Sequence, residues 1–353
     1  MWRSFEAPRG VRSRKLAAVT VALLVVLGSG ASTSRSAAAT SSHQSFLWGA
    51  WIGPQLTGKE APWDWNAVTD FEQRNAGGRH LNAVHWGVGT PWAHPFNYWL
   101  GPLNGVRNAG AVSVVDMDTG AVPLRRVAKG ADDGAFRTWA SQAASWGYPV
   151  LLRFDFEMNG QWFPWGTRPI NRSTPADFVA AWRHVHNLFT AEGATNVAWV
   201  WCPNIDPLHE MTSVGRLYPG KSYVDWTCLD GYNFGKSWMS FKKIYTSSYR
   251  RIVKLAPSKP MLVGEVATTG RGGNKAQWIR NMFRVLPSFR HIHGLLWWDK
   301  WGHKDNRRLD WPIETSKAAS TAFSRGIGST LARTCRRLTG SAHAQCMGDA
   351  VGP

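Results

Sequence analysis

The chain has 353 residues, of which 44% are hydrophobic and 18% are charged, and its formal net charge is +18. This length and composition exclude a disordered protein and suffice for one large domain with a substantial core. Four cysteines are too few, over this length, for a small domain held together by disulfides. Tryptophan is the outlier, because the chain has 22 and each buried indole N–H needs a hydrogen-bond partner. So many rings predict a surface on which a flat ligand stacks, such as a sugar or a nucleobase.

The first forty residues have the layout of a secretory signal. A basic start up to Lys15 precedes an apolar run over 16–27 and a small-residue stretch that ends in Ala37-Ala38-Ala39. We therefore predict a signal peptide over 1–39 and a secreted protein that is free of the membrane after cleavage. The apolar run is too short to span a bilayer comfortably, and an uncleaved anchor is the alternative. Cleavage removes six basic residues and one acidic residue, which lowers the net charge to +13.

After residue 43, short runs of strand type alternate with longer helical patterns. Eight runs predict strands: Phe46–Ile52, His80–Trp86, Val112–Met117, Pro149–Phe154, Val197–Trp201, Trp226–Leu229, Pro260–Glu265 and Gly294–Trp298. The helices that we predict between and after them are Asp132–Trp146, Thr174–Ala191, Ser237–Lys254, Asn274–Val285 and Glu314–Ile327. Eight such units fit a (β/α)8 barrel better than an open doubly wound sheet, and no Gly-x-Gly-x-x-Gly follows the first strand. We therefore predict a single-domain α/β fold, a (β/α)8 TIM barrel over 44–328, followed by a polar tail over 329–353.

The remaining positive charge allows two kinds of partner. A basic exported protein could bind nucleic acid or associate with an anionic cell wall. The densest basic groups are only pairs: Lys242-Lys243, Arg250-Arg251, Arg307-Arg308 and Arg336-Arg337. Such scattering is typical of a solvated basic surface, so we predict no nucleic-acid partner and keep wall association as an alternative.

The four cysteines allow three disulfide pairings. Export permits disulfides, and Cys335 with Cys346 is the favoured pair because both lie in a Gly/Ser/Arg-rich segment that would otherwise be loose. Cys202 and Cys228 lie in the body of the chain. No Cys-x-x-Cys occurs, so we predict no metal site, and we also expect no cofactor and a monomer.

Two glutamates lie at the ends of predicted strands. Glu157 follows the fourth strand and Glu265 ends the seventh, and catalytic groups of such barrels lie at the C-terminal strand ends. Glycoside cleavage needs a facing pair of carboxylates, one to protonate the leaving oxygen and one to attack the anomeric carbon or activate water. Strands four and seven oppose each other, so a retaining separation of about 5–5.5 Å is within reach. Alternatively, the two glutamates are buried ion-pair partners, with Arg153 as a cation.

Aromatic rings lie at most of the predicted strand ends. The residues that we expect to contact a sugar there are Trp51, His85, Trp162, Trp201, Tyr232, Trp297 and Trp298. Sugar faces pack on aromatic rings while sugar rims need hydrogen bonds, for which Asn159, Asp230 and Asn233 are candidates. Core packing explains any single tryptophan, but it does not explain their clustering at strand ends.

The block Arg-Phe-Asp-Phe-Glu-Met-Asn-Gly-x-Trp-Phe-x-Trp-Gly over 153–166 resembles the acid/base motif of glycoside hydrolase family 26, the β-mannanase family of a large TIM-barrel clan. Blocks over 223–233 and 264–279 are similar to further motifs of that family, and the resemblance extends over about 45–325. It implies retaining hydrolysis of a β-linked polysaccharide, mannan as the first guess, through a covalent glycosyl-enzyme. Glu157 would be the general acid/base and Glu265 the nucleophile. Tyr232 would hydrogen-bond the nucleophile, and Trp297 or Trp298 would form the floor of the central subsite.

Two positions depart from the pattern of the resembled family. Phe156 stands where that family usually has His, and the His-Trp pair that many mannanases have on strand three is replaced by the run Val-Asp-Met-Asp-Thr-Gly over 115–120. Because that histidine contacts the sugar, the glycan stays open: mannan, mixed-linkage glucan, xylan and a microbial exopolysaccharide all fit. The alternative function is a non-catalytic glycan-binding protein on the same scaffold.

Overall fold

The computed structural model describes residues 46–167, 173–206, 211–304 and 307–336. The predicted signal peptide, residues 337–353 of the predicted tail, and Cys346 with them, lie outside the described residues. No helix within the described ranges is long and apolar enough to cross a membrane.

Eight parallel strands form a closed barrel in sequence order. They are β1 (Leu47–Ile52), β2 (Ala83–Gly89), β3 (Val112–Met117), β4 (Val150–Phe154), β5 (Val197–Trp201), β6 (Trp226–Asn233), β7 (Met261–Thr268) and β8 (Ile292–Asp299). The barrel closes where β1 pairs with β8, from Leu47 opposite Gly294 to Ile52 opposite Asp299. This architecture confirms the predicted (β/α)8 barrel.

Helices cover the outside of the barrel. They are α1 (Trp65–Phe71), α2 (Leu100–Asn108), α3 (Leu124–Val127), α4 (Asp133–Trp146), α5 (Pro175–Ala191), α6 (Phe241–Leu255), α7 (Lys275–Val285) and α8 (Lys317–Cys335); α1 continues as a π-helix over Glu72–Ala76, and a hairpin of β9 (Gly302–Lys304) and β10 (Arg307–Leu309) follows β8. Capping side chains fix several starts, because Ser240, Asn274 and Ser316 each accept a hydrogen bond from the backbone N–H three residues later. Helix α6 therefore begins at Phe241 and not at the predicted Ser237.

Helix α8 extends further than the sequence predicts. The predicted end is Ile327, whereas the helix continues to Cys335 and buries Leu331 and Cys335 against the barrel. Gly326 lies within this helix where α8 passes close to α7, and a Cβ there would lie 2.0 Å from the ring of Phe283. The predicted domain boundary after residue 328 falls inside this helix and is corrected, since a polar tail can begin only after it.

Four strands, β2, β6, β7 and β8, also extend further towards the mouth of the barrel than predicted. After a register shift, β6 pairs with β7 from Asp230 opposite Glu265 to Asn233 opposite Thr268. Glu265 therefore lies within β7 and not at its end. Strand β4 ends three residues before Glu157, which lies in the turn that follows.

The lower part of the barrel is filled by side chains. A cluster inside the strands consists of Ala83, Val114, Leu151, Val200, Cys202, Cys228, Leu262 and Leu296. A second and larger cluster lies between the strands and the helices. Because the inside is filled below, a substrate can enter only at the C-terminal ends of the strands.

One disulfide belongs to this inner cluster. It joins Cys202, just after β5, to Cys228 in β6, with the two Cα atoms 4.2 Å apart. Cys335 is also disulfide-bonded. Its predicted partner, Cys346, lies outside the described residues.

Candidate active site

The turn after β4 holds two residues in an unusual backbone conformation. Asp155 and Glu157 have positive φ angles, 42° and 52°. The carboxylate of Asp155 fixes this turn by accepting hydrogen bonds from the backbone N–H of Thr119 at 2.8 Å and from its hydroxyl at 3.0 Å. The backbone N–H of Glu157 donates to the carbonyl of Cys202 at 2.7 Å. A left-handed backbone conformation costs a residue other than glycine about 1–3 kcal/mol. These hydrogen bonds offset that cost and hold Glu157 in place.

Two side chains donate hydrogen bonds to the carboxylate of Glu157. The indole N–H of Trp162 binds Oε2, and Nδ2 of Asn204 binds Oε1. The side chain of Asn159 accepts from the backbone N–H of Asn204 at 2.8 Å and donates to its carbonyl at 2.9 Å. Asn159 is fully buried, so it supports Asn204 and does not contact a sugar as predicted. Nothing in the sequence singles out Asn204, which follows β5 in an ordinary loop.

Glu157 is a buried acid. Burial raises the pKa of its carboxyl group to about 8, and the nearby negative charge of Glu265 acts in the same direction. The hydrogen bonds from Asn204 and Trp162 and the charge of Arg153 oppose this rise without cancelling it. A carboxyl group with this pKa carries a proton at neutral pH and can donate it.

Glu265 has a different environment. Nη1 and Nη2 of Arg153 each lie 3.0 Å from Oε1, and the hydroxyl of Tyr232 donates to Oε2. Burial raises the pKa of Tyr232 well above its usual value, so the hydroxyl keeps its proton and remains a donor. Burial by itself lowers the pKa of Arg153, but neighbouring carboxylates raise it above its usual value, so the guanidinium stays charged. The ion-pair alternative considered from the sequence therefore describes Glu265 and not Glu157.

Arg153 connects strands from several sides of the barrel beneath the mouth. Its guanidinium lies 2.5 Å from Asp230, 3.2 Å from Asp116 and 2.6 Å from Nε2 of His85. Burial raises the pKa of Asp230 well above its usual value, and the charge of Arg153 lowers it. His85 is 1% exposed and Asp230 is fully buried. Both were expected to meet the sugar, and the structure instead places them in this buried network.

Two groups of side chains here have the spacing of cation ligands. His85, Asp116 and Glu265 form one group, and Glu157, Asp230 and Glu265 form the other, with ligand atoms within 4.8 Å of one another in each. Arg153 bonds to members of both groups and supplies positive charge between them. The guanidinium of Arg153 therefore balances the negative charge of these carboxylates. The absence of a metal site stays a prediction.

Glu157 and Glu265 face each other across the mouth. One carboxylate oxygen of each lies within 4.8 Å of the other. Retaining glycosidases have carboxyl groups about 5–5.5 Å apart, whereas inverting enzymes leave about 6.5–9.5 Å to admit a water molecule. This spacing, with one protonated and one cation-paired carboxyl group, suits attack by Glu265 and proton donation by Glu157.

Aromatic rings surround the two carboxyl groups. The half-buried rings of Trp51 and Trp298 lie 4.9 Å apart, and Trp162 is 48% exposed beside Glu157. Trp311, which follows β10, stacks on Tyr232 with a centroid distance of 4.6 Å. Of the predicted sugar contacts, Trp51, Trp162, Tyr232 and Trp298 are thus brought together at the mouth. Trp311 was not predicted, because it lies beyond the last strand of the barrel.

The characteristic pattern of glycosyl hydrolase family 26 matches residues 92–312. The chain belongs to this family. The match confirms the resemblance, and the barrel is a glycoside hydrolase domain.

Some relatives of this family 26 domain are named as an endoglucanase and others as mannan endo-1,4-beta-mannosidases. The chain is 30% identical over 292 residues to Endoglucanase H of Acetivibrio thermocellus, which covers 79% of this chain and 30% of the relative. It is 32% identical over 168 residues to Mannan endo-1,4-beta-mannosidase A and B of Caldalkalibacillus mannanilyticus, which covers 46% of this chain and 30% of the relative. The chain thus spans about a third of the length of these curated relatives.

Solved structures show the same fold. The catalytic domain of a GH26 endo-β-1,4-mannanase from Bacillus sp. JAMB-750 superimposes with a TM-score of 0.61 at 20% identity, over 82% of this chain and 87% of that one. A double mutant of an endo-β-1,4-mannanase from Cellulomonas fimi gives a TM-score of 0.60 at 17% identity, over 80% of this chain and 70% of that one.

Three more predicted sugar contacts of the family 26 domain lie elsewhere. Trp201 and Trp297 are fully buried and face the helices, where the indole N–H of Trp297 donates to the carbonyl of Trp311 at 3.0 Å. Neighbouring side chains of a strand point to opposite faces, so Trp298 and Trp297 cannot both line the mouth. Asn233 is fully buried, donates to Thr268 at 2.9 Å and accepts from backbone N–H groups of the following loop. These three predictions are therefore corrected.

Phe156, the departure from the family pattern, has an apolar environment. Its ring lies 5.0 Å from Phe163 and 5.5 Å from Trp165, and the guanidinium carbon of Arg153 lies 4.9 Å from its centroid. It packs against both hydrophobic clusters and offers no hydrogen bond at the position where the family usually has a histidine.

Proposed function

We propose that this chain is a secreted, retaining glycoside hydrolase that cleaves internal bonds of a β-linked polysaccharide by double displacement. The observation that carries the proposal is the pair Glu157 and Glu265, which face each other at short range in opposite environments. Membership of glycosyl hydrolase family 26 supports the reaction class.

In the first step, Glu265 attacks the anomeric carbon while the bond from that carbon to the leaving sugar breaks. The proton of Glu157 passes to the leaving oxygen. Arg153 and Tyr232 hold the two oxygens of Glu265, so the attacking group is oriented before the substrate arrives.

In the second step, Glu157 removes a proton from water, and the resulting hydroxide displaces Glu265 from the anomeric carbon. This requires Glu157 to change from acid to base. The negative charge of Glu265 is one cause of the raised pKa of Glu157, and that charge disappears when Glu265 becomes an ester. The pKa of Glu157 therefore falls in the intermediate, and the same residue is prepared for the second role.

Mannan is the first candidate substrate, since several relatives and solved neighbours are named as mannan-cleaving enzymes. A β-glucan is the second, because a relative that matches 79% of this chain is named an endoglucanase. The rings of Trp51 and Trp298 offer an apolar floor to either sugar. Secretion is supported by the signal-type start over 1–39 and by the disulfides, which persist in oxidising compartments.

Phe156 favours a second candidate, a protein that binds a glycan without cleaving it. A phenylalanine cannot make the sugar hydrogen bond that a histidine can make there. The two candidates differ in whether shortened oligosaccharides are released.

The test is a reducing-end assay on mannan, mixed-linkage glucan, xylan and a bacterial exopolysaccharide. We expect release by the unmodified protein, loss with Glu157→Gln and Glu265→Gln, and full activity with Glu192→Gln, a matched change in a surface pair with Arg137. Azide with Glu157→Ala and an aryl glycoside should give a glycosyl azide of retained configuration. Binding without release on every polysaccharide would support the second candidate and overturn the first.

A further inference from the structure

Three consecutive outer helices of the barrel, α6, α7 and α8, contain no acidic residue. They are packed side by side. The segments that lead from α6 to β7 (256–260) and from α7 to β8 (286–291) also lack Asp and Glu. By contrast, α1, α4 and α5 each contain at least one aspartate. Apart from Arg251, which pairs with Asp206 at 3.8 Å, and Lys275 at the mouth end of α7, which lies near Asp310, the described cations of these helices form no ion pair.

Within this sector, α7 and α8 enclose a groove of about 440 Å³. Four exposed arginines line it: Arg280 and Arg284 from α7, and Arg325 and Arg333 from α8. The two helices approach closely at Gly326, where the ring of Phe283 occupies the space that a side chain would need. Phe283, Ala322 and Gly326 form an apolar floor between the arginines.

Two arginines of the groove have neutral hydrogen-bond partners. Nη2 of Arg284 donates to Asn281 at 3.3 Å, and Nη2 of Arg333 donates to Thr330 at 3.0 Å. Over the described ranges, no carboxylate forms an ion pair with any of the four arginines. Burial lowers the pKa of Arg333, and the positive charge of Arg336 lowers it further. An anion in the groove would relieve this crowding of like charges.

The groove lies away from the mouth. Lys275, at the start of α7, donates to the carbonyls of Asp310 and Pro312, in the segment after β8 at the mouth end. Arg284 comes nine residues later in the sequence, which is about 14 Å further along a helix. A ligand in the groove therefore leaves the mouth open.

We propose that this arginine groove binds an anionic polysaccharide of the cell surface and so anchors the enzyme while its mouth remains free. Guanidinium groups bind carboxylates and phosphodiesters through paired hydrogen bonds. Proteins that bind single-stranded nucleic acid offer exposed rings to the bases, whereas Phe283 is only 5% exposed. The groove thus favours an anionic sugar polymer.

The test is affinity electrophoresis of the full-length protein in gels that contain a poly(glycerol phosphate) polymer, polygalacturonate or neutral mannan. The first two separate phosphodiester from carboxylate chemistry, and retardation by either one supports the proposal. The groove variant carries Gln at Arg280, Arg284, Arg325 and Arg333. The control variant carries Gln at Lys242, Lys243, Arg250 and Lys254 of α6, and so loses the same charge from the same sector.

We expect the groove variant to lose about tenfold or more of its affinity, and the control variant to lose no more than about threefold. Both should keep their activity on a soluble neutral glycan, which also shows that they fold. Ser329→Glu, which places one acid in the groove, should weaken binding without removing any arginine. Equal losses in both four-site variants, binding that survives 1 M salt, or tighter binding of DNA than of either polymer would overturn the proposal.

Discussion

The charges at the mouth of the barrel are buried and paired, whereas those on the outer surface of α6, α7 and α8, here called the α6–α8 wall, are mostly exposed cations. At the mouth, the acids Asp116, Asp230 and Glu265 contact one cation, Arg153, and all four are buried. On the wall, exposed cations face water with no acid in their helices. Charges interact strongly in a buried site and are screened within about 10 Å at the surface. Removing a charge at the mouth should therefore change the pKa of each neighbouring group and the free energy of unfolding. Removing charges on the α6–α8 wall should change the free energy of unfolding only slightly, and the effects should add.

The largest effect is expected from Arg153→Gln. Its removal leaves three buried carboxylates without their cation, and breaking a buried ion pair in this way costs about 3–5 kcal/mol. We expect the free energy of unfolding, measured by urea denaturation at pH 7, to fall by that amount. Arg137→Gln, which breaks the surface pair with Glu192, should cost less than about 1 kcal/mol. Equal losses in the two variants would remove the distinction between mouth and surface.

The next effect concerns Tyr232, whose hydroxyl donates to Glu265. Tyr232→Phe keeps the ring that stacks on Trp311 and removes only this donor. Losing one oriented donor to a reacting oxygen costs about 10²-fold in kcat. Steady-state kinetics should show this loss in kcat with a smaller change in KM. Tyr218→Phe is the matched control, since that ring packs on Trp201 outside the mouth. A loss that falls mainly on KM would assign Tyr232 to substrate binding.

The third prediction concerns the pH dependence set by Glu157. Its pKa is raised to about 8, so the proton needed by the leaving oxygen is present below that pH and is lost above it. We expect kcat/KM to fall as the pH rises through about 8. A ¹³C NMR titration of labelled Glu157 should give a lower pKa in Glu265→Gln, because that change removes a negative charge that raises it.

Asn204→Ala tests the same pKa in the other direction. The hydrogen bond from Asn204 lowers the pKa of Glu157, so removing it should move the alkaline fall in kcat/KM to higher pH. Glu192→Gln, remote from the mouth, should leave the profile unchanged. If the alkaline fall in kcat/KM stays at the same pH in Asn204→Ala, and the pKa of Glu157 measured by NMR stays the same in Glu265→Gln, another group controls the fall.

The sequence predicts the fold well because barrel strands carry a local signal. The bounds of β3 and β5 agree with the predicted ones, since each is a short buried run between helices. Strand β2 begins at Ala83 and not at His80, since the backbone N–H of Leu81 donates to Oε1 of Glu72 at 2.9 Å and not to a neighbouring strand. No local pattern contains such a contact.

The site is less predictable because its members come from different strands. Glu157 and Glu265 lie in motifs that single them out, whereas Asn204 and Trp311 matter only through the residues they touch in space. The choice between Trp297 and Trp298 follows from strand alternation once the register of β8 against β1 is known. That register is a property of the closed barrel and not of the strand alone.

The smallest effect should come from an Arg-to-Gln change on the α6–α8 wall, the same change as Arg153→Gln at the mouth. Arg333→Gln removes a cation that Arg336 repels and that donates to the neutral Thr330, so it should change stability by no more than about 0.5 kcal/mol, towards greater stability. Because screening weakens repulsion between exposed charges, the gain should disappear at 0.5 M salt. Urea denaturation at low and high salt measures both points. A loss of stability that does not depend on salt would mean that packing of the Arg333 side chain stabilises the fold. The α6–α8 wall would then not be simply a screened cationic surface.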